Sequence, residues 1–399
     1  MNITFICPFY YPNSIGGSEV SIKILAEWLA SNGFDIQVIS FDGKSDNETI
    51  NGVMVRRYPV ISARGLSLTL VYPALRAMRK FEEVTDIYHV YDVYPIVGAG
   101  LYKMFRGKRP VIATLNNYAG FCPVVTGRCS ACNKFKSRMR CLYEEASALE
   151  KPLVPPFAAI YPALTALAKR VDRYIALSSN VVELYTKYNF DPSKITVIPN
   201  FINTEGKKCD RMRHINGRFN ILYVGAISEY KGVDVLIRAF GMIQTENVNA
   251  HLTLVGNGKM ISYCKSLVKK LEIDDKVTFR GYIENDKLQE IYADADVFVH
   301  PARLYEPFGR SIIEALSYGV PCIVSDTTSP ELVNNAGLIF KNEDVEDLAK
   351  KLNIFIKEHD FQSRLIRNCF DVIKRYDIDL VGAKIADLYH ELYLEHNSS

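Results

Sequence analysis

Short apolar runs recur along this chain, each followed by a stretch with helical spacing, and that alternation constrains the fold more than any other feature. In the first half the runs are NITFIC, FDIQVIS, GVMVRRY, DIYHVY, PVIATL, DRYIAL and KITVIP. In the second they are NILYVG, HLTLVG, KVTFRG, DVFVHP, PCIVSD and GLIF. Val/Ile runs bounded by Gly, Pro or Asn suit strands buried on both faces, as in parallel sheets. Parallel neighbours need crossovers, and the gaps have the periodicity to supply helices. Ile22, Leu25 and Leu29 line one such face, and Val235, Leu236 and Ala239 line another. The pattern predicts doubly wound α/β domains.

A chain of 399 residues exceeds a usual single core, so two domains are expected. The break falls in VIPNFINTEGKKCDRMRHINGRFN, where Pro199-Asn200 ends a strand and a polar, aperiodic stretch follows. The expected division is 1–199, 200–379 and a final helical segment, 380–399, returning toward the first domain. The carboxyl ends of the two sheets are expected to face one cleft, where such folds bind ligands. Residues 152–168 are the most apolar stretch, and three prolines after Pro152 forbid one long helix there.

A net charge of +3 is too small to argue for nucleic acid, where a strong basic stripe is expected. No apolar run is long enough to span a membrane. The opening MNITFICPFYYP has no basic flank and meets Pro8 early, so it reads as a buried first strand. Nine cysteines without an export signal suggest a reducing, cytoplasmic setting.

The chemistry concentrates in DVFVHPARLYEPFGRSIIEAL, which reads as strand, loop and a helix opening near Gly309 to Ser311. A helix N-terminus has unpartnered amides and a partial positive charge, so it suits a diphosphate. Glu306 just before that end and Glu314 just inside it can accept from hydroxyls on either side of the phosphates, as on a nucleotide-sugar. Ser311 and Glu314 also match a capping box, which would only satisfy backbone donors. In YVGAISEYKGVDVLIRAF a strand ends at Gly225 and Lys231-Gly232 opens a helix; a lysine there can neutralise a diphosphate. Gly16-Gly17 separates the first strand from its helix, which suits close backbone approach or a tight turn.

Together these segments resemble the family 4 glycosyltransferases, retaining enzymes of the GT-B architecture. YYPNSIGG resembles the family's N-terminal glycine loop, YVGAISEYKGVDVLIRAF its G-R-L-x-x-x-K-G segment, and TVIPNFIN its interdomain linker. Residues 277–326, from VTFRG to PCIVSD, resemble its base-binding loop and glutamate-x7-glutamate signature. The resemblance implies retaining, metal-independent transfer of a glycosyl group from a nucleotide-sugar to a glycan or lipid-linked acceptor. It implies that Glu306 contacts the donor sugar and Glu314 the ribose. Lys231 and the amides around Phe308, Gly309, Arg310, Ser311 and Ile312 would hold the diphosphate. Gly281 and Tyr282 would flank the base, and Gly16 and Gly17 would approach donor or acceptor. A nucleotide-sugar epimerase on the same architecture and a binding protein that has lost catalysis are the alternatives. Two departures motivate the second: Ala226 stands where the family has Arg, and Asn116 where it often has His. Arg303 or Arg310 would have to replace the missing charge.

Other features are weaker. His89 and Asp92, in DIYHVYD, fall near a strand's carboxyl end and, with Asn116, are the acceptor-side candidates, although a core histidine is the plainer outcome for His89. Cys122, Cys129, Cys132 and Cys141 fall within 20 residues. Four thiolates there can close a structural zinc site, with an iron–sulfur cluster the lesser occupant and free thiols in a basic loop the alternative. Asp294-x-Asp296 closes a helix and opens a strand, so a metal is not expected on it. YPALRAMRKF and LYKMFRGKRP offer basic and aromatic surface suited either to an anionic membrane face or to water.

Overall fold

A computed structural model describes residues 1–13, 16–43, 46–59, 67–118, 120–122, 134–146, 148, 150–204, 217–246, 248–284 and 287–398. The chain divides into two compact units, Met1–Asn200 with Ile378–Ser399, and Phe201–Asp377.

The first unit is built on an eight-stranded sheet. Its strands are β1 (Asn2–Cys7), β2 (Asp35–Ser40), β3 (Asp46–Ile50), β4 (Val53–Arg57), β5 (Ile87–Tyr91), β6 (Val111–Leu115), β7 (Arg173–Ala176) and β8 (Ile195–Val197). The order is β3-β4-β2-β1-β5-β6-β7-β8, parallel throughout except that β3 runs antiparallel to β4. Its helices are α1 (Gly17–Ser31), α2 (Val71–Lys80), α3 (Val93–Met104), α4 (Phe135–Glu145), α5 (Val154–Ala168) and α6 (Ser179–Lys187). Every residue of β5 and β6 is buried, as continuous apolar runs require when helices cover both faces. Ile22, Leu25 and Leu29 are all buried along α1.

Two elements differ from expectation. The sequence DNETI of β3 is polar and almost wholly exposed, so it lacks an apolar strand signature, yet it pairs with β4 at the sheet edge. Its signal lies in the connection: Asn51-Gly52, with φ of 49° and 82°, forms a two-residue hairpin turn. The prolines of 152–168 do not prevent a single helix. α5 runs unbroken from Val154 to Ala168 with Pro155 and Pro156 in its first turn, where amides need no partner. Pro162 lies inside it and has no amide for the Ala158 carbonyl one turn back. The buried Arg138 side chain of α4 supplies the missing donor, Nε to that carbonyl at 3.1 Å.

The second unit carries a six-stranded, wholly parallel sheet of β9 (Phe219–Val224), β10 (Ala250–Val255), β11 (Val277–Gly281), β12 (Val297–His300), β13 (Cys322–Ser325) and β14 (Gly337–Phe340). The order is β11-β10-β9-β12-β13-β14, so succession reverses direction between β9 and β12. The helices are α7 (Val233–Gln244), α8 (Ile261–Lys270), α9 (Leu288–Asp294), α10 (Arg310–Ser317), α11 (Val345–Lys357) and α12 (His359–Ile373). At one edge of this unit the Ile202 amide donates to the Tyr376 carbonyl at 2.9 Å, and the Thr204 hydroxyl bonds the Asp377 carboxylate.

The last helix, α13 (Ile378–Asn397), packs on the first unit. The Trp28 indole donates to Asp379 at 2.6 Å, and Gly382 lies so close to that indole that a Cβ would stand 2.7 Å from the ring. Tyr389 reaches His89 at 2.5 Å, while the other ring nitrogen of His89 meets the Thr114 hydroxyl at 2.7 Å. His89 is fully buried within β5, so it is a core histidine and not an acceptor contact. Burial pulls its pKa down to about 3, so the ring is neutral. No helix among the described residues is long and apolar enough to cross a membrane.

Candidate active site

The reversal between β9 and β12 leaves a crevice at the carboxyl ends of those strands, where open α/β sheets bind ligands. Its walls are the turn after β9 and the loop after β12. They are fastened together at close range. Gly232 has φ of 64°, and a Cβ there would stand 2.0 Å from the Pro301 carbonyl oxygen, so no side chain fits. The Arg303 amide donates to the Tyr230 carbonyl at 2.8 Å. The Arg303 guanidinium makes two bonds of 2.8 Å to Asp234 and further bonds to Glu343 and the Glu229 carbonyl. Arg303 therefore holds the crevice together instead of standing in for the cation missing at Ala226. The Ala226 carbonyl itself accepts from the Tyr223 hydroxyl at 2.7 Å.

Lys231 and Glu306, one from each wall, form an ion pair. Burial pulls the Lys231 ammonium down to about 8. Glu306 also lies 2.9 Å from Nε2 of His300, the last residue of β12. Burial, with the Lys231 charge adding to it, lowers His300 to about 3, so this ring too is neutral. His300 was not among the expected site residues. Its signal was a histidine closing a buried Val/Phe strand just before Pro301.

Gly309 caps α10 with φ of 79° and lies within reach of Glu306. No side chain caps this helix, which overturns the capping box. Instead, Glu314 accepts from Arg310 Nε at 2.9 Å and from the buried Tyr292 hydroxyl at 3.1 Å. Arg310 also donates to the Phe201 carbonyl at 3.2 Å, so it too is committed locally. The Ile312 amide bonds the Gly309 carbonyl at 2.9 Å and its side chain is fully buried, so Ile312 is a packing residue rather than a phosphate donor. Ser311 is the second residue of the first turn, and Phe308 is buried edge-on against Tyr376.

Beside the crevice the ends of β9, β10 and β11 meet backbone to backbone. Gly256 has φ of 128°, its amide donates to the Gly281 carbonyl at 2.7 Å, and a Cβ would stand 1.9 Å from the Gly225 oxygen. Tyr282 follows β11 and is 56% exposed, which leaves its ring face open. The glycines of VGNG, Gly256 and Gly258, were also missed, though their clustering just after a strand was a visible signal. So were Thr328 and Ser329, whose hydroxyls are buried without partners among the described residues. Asp294 and Asp296 lie at the opposite, amino edge of this sheet, where Asp296 takes the Asn220 amide at 2.7 Å.

In the first unit, Gly16 caps α1 and Gly17 begins it. Asn116, just after β6, donates to Ser18 in the first turn of α1 at 3.0 Å. Asp92 directly follows β5, with φ of 70°. The Glu19 carboxylate folds back beside Gly16, and burial raises its pKa against the opposing backbone bonds of Glu19 and Gly16. Cys122 is buried and Cys141 half-buried on α4, while Cys129 and Cys132 lie outside the described residues. Among the described residues no three His, Cys, Asp or Glu side chains group as metal ligands.

Two family models match the chain: Glycosyltransferase Family 4 over residues 15–205 and Glycosyl transferases group 1 over residues 210–371. An uncharacterized glycosyltransferase of Methanocaldococcus jannaschii is 27% identical over 98% of both chains. Sucrose-phosphate synthase from Thermosynechococcus elongatus superimposes with a TM-score of 0.73 at 19% identity, over 99% of both chains. HepE of Anabaena, solved in complex with UDP and glucose, gives 0.71 at 18% identity, over 98% of this chain and 100% of that one. At these identities the structural likeness shows the fold.

Proposed function

Because the chain belongs to the group 1 and family 4 glycosyltransferases and has their GT-B fold of two Rossmann-like domains, we propose that it moves a sugar, with retention, from a nucleotide-sugar to a glycan or lipid-linked hydroxyl. The observation that carries this reading is the half-buried Lys231–Glu306 pair at the switch point of the second unit. The Lys231 ammonium is set against a carboxylate that stands just before a helix N-terminus. The donor's diphosphate takes the Lys231 ammonium and the first amides of α10, Glu306 accepts from hydroxyls of the sugar, and Glu314 from the ribose. The base lies along Gly281 and Tyr282. HepE, which was solved with UDP and glucose, supports a nucleotide-sugar as the donor class.

In the reaction the bond from the sugar's anomeric carbon to the phosphate oxygen breaks, and the acceptor oxygen bonds that carbon on the same face. The acceptor's proton passes to the leaving phosphate oxygen. Stabilising the charge that grows on that oxygen is the largest contribution asked of the protein, and Lys231 with the α10 amides provides it without a divalent ion. Asn116, Asp92 and Glu19 in the first unit are proposed to meet the acceptor. The test is release of nucleoside diphosphate from a panel of nucleotide-sugars, with and without glycan or lipid-linked acceptors and with excess chelator. Acceptor-dependent release that survives the chelator supports the reading. Strict dependence on added magnesium or manganese refutes its metal-independence, and conversion of the donor without an acceptor points to an epimerase.

A further inference from the structure

Glu306 has two partners of different kinds. Lys231 reaches it on a flexible stem from the turn after β9, whereas His300 ends β12 and is only 2% exposed. The imidazole Nε2 lies 2.9 Å from Glu306 Oε2, and the ring stacks on Phe298 with centroids 6.3 Å apart. A carboxylate only accepts, so Nε2 carries the hydrogen and Nδ1 the lone pair. Nδ1 is buried without a partner among the described residues, so the bond to Glu306 is the ring's one anchor there.

We propose that His300 is a positioning residue that keeps Glu306 in place when the Lys231 ammonium turns to the phosphates of the donor. The proposal rests on the donor-site reading above. A diphosphate competes with Glu306 for the ammonium, because both are anions seeking the same charge-assisted bonds. With Lys231 as sole partner, Glu306 would either hold the lysine back or lose its last donor in a pocket where its side chain is 14% exposed. An uncharged imidazole is not drawn toward the phosphates, and a ring packed on a central strand does not swing. The His300 bond therefore outlasts the exchange and leaves Glu306 with lone pairs aimed for a sugar hydroxyl. A second lysine at this position would follow the phosphates and could not do this.

The test compares His300→Phe, which keeps the ring and loses the donor, with His300→Gln, whose side-chain N–H can replace Nε2–H. Turnover and KM are read with the donor found active, pyrophosphate affinity by calorimetry, and the tautomer by imidazole 15N spectra. His300→Phe should lose about 10- to 100-fold in kcat, the effect of a lost hydrogen bond to a charged group. Pyrophosphate affinity should change far less, and His300→Gln should recover most of the turnover, which a purely structural role does not explain. The wild-type spectrum should show Nε2–H from about pH 5.5 to 8, with or without pyrophosphate. An active wild type with an equally active Phe variant overturns the proposal, as does a Nδ1–H tautomer or one that pyrophosphate switches. If the Phe variant fails to fold, the Gln variant and the wild-type spectrum decide. A wild type that neither binds pyrophosphate nor transfers sinks the donor-site reading and this proposal with it.

Discussion

Glu306 and Lys231 were legible in the sequence as a carboxylate before a helix and a lysine before a glycine. That they neutralise each other was not, because their approach depends on strand order, which no local pattern encodes. Glu306→Gln removes the acceptor for a sugar hydroxyl and should lower kcat/KM by about 1–3 kcal/mol of transition-state stabilisation while leaving the fold intact. Full turnover and donor affinity in that variant would remove Glu306 from the site. Lys231 makes a second prediction. Only its ammonium binds phosphate, and burial sets its ligand-free pKa near about 8. Donor affinity should therefore be full below that value and fall as pH rises through it, by about tenfold per unit at the limit. Lys231→Arg keeps its charge throughout and should lose the alkaline limb; calorimetry at pH 7 and 9 checks the sign. His300 escaped the sequence reading for a physical reason: a histidine within an apolar run is ordinarily a core residue, as His89 proved to be.

At the scale of elements, thirteen of the described strands were visible as apolar runs, most plainly those such as β5 and β6 whose burial on both faces leaves a continuous signature. The edge strand β3 has no buried face and so left none, apart from its Asn51-Gly52 turn. Proline misled in α5 because the cost of an internal proline depends on who satisfies the freed carbonyl, and that donor, Arg138, comes from another helix. Arg138→Ala should leave the buried Ala158 carbonyl unsatisfied and cost about 1–3 kcal/mol in chemical denaturation. Adding Pro162→Ala restores a backbone amide one turn away and should recover much of that loss. Strict additivity of the two changes would show that the bond has no such role.

Over the whole molecule, among the described residues, His89 of the first unit and His300 of the second are buried and neutral, both lowered to about 3. The unfolded chain takes a proton on each near pH 6.5 and the folded chain does not, so their contribution to stability is full above that value and is lost as pH falls toward about 3. Each should add a slope of up to about 1.4 kcal/mol per pH unit in that window, and His89→Asn should flatten the slope of the first unit. An unchanged slope would mean that His89 titrates freely in the fold. If the Lys231–Glu306 crevice of the second unit binds a nucleotide-sugar, a thermal-shift screen will detect it. A panel of nucleotide-sugars is run against the wild type and Lys231→Met. A bound donor at about 100 times its dissociation constant adds about 2.7 kcal/mol, so one member of the panel should raise the wild-type midpoint clearly and leave Lys231→Met unmoved. A wild type that responds to none of them, or a shift that survives the loss of Lys231, would contradict binding at that crevice.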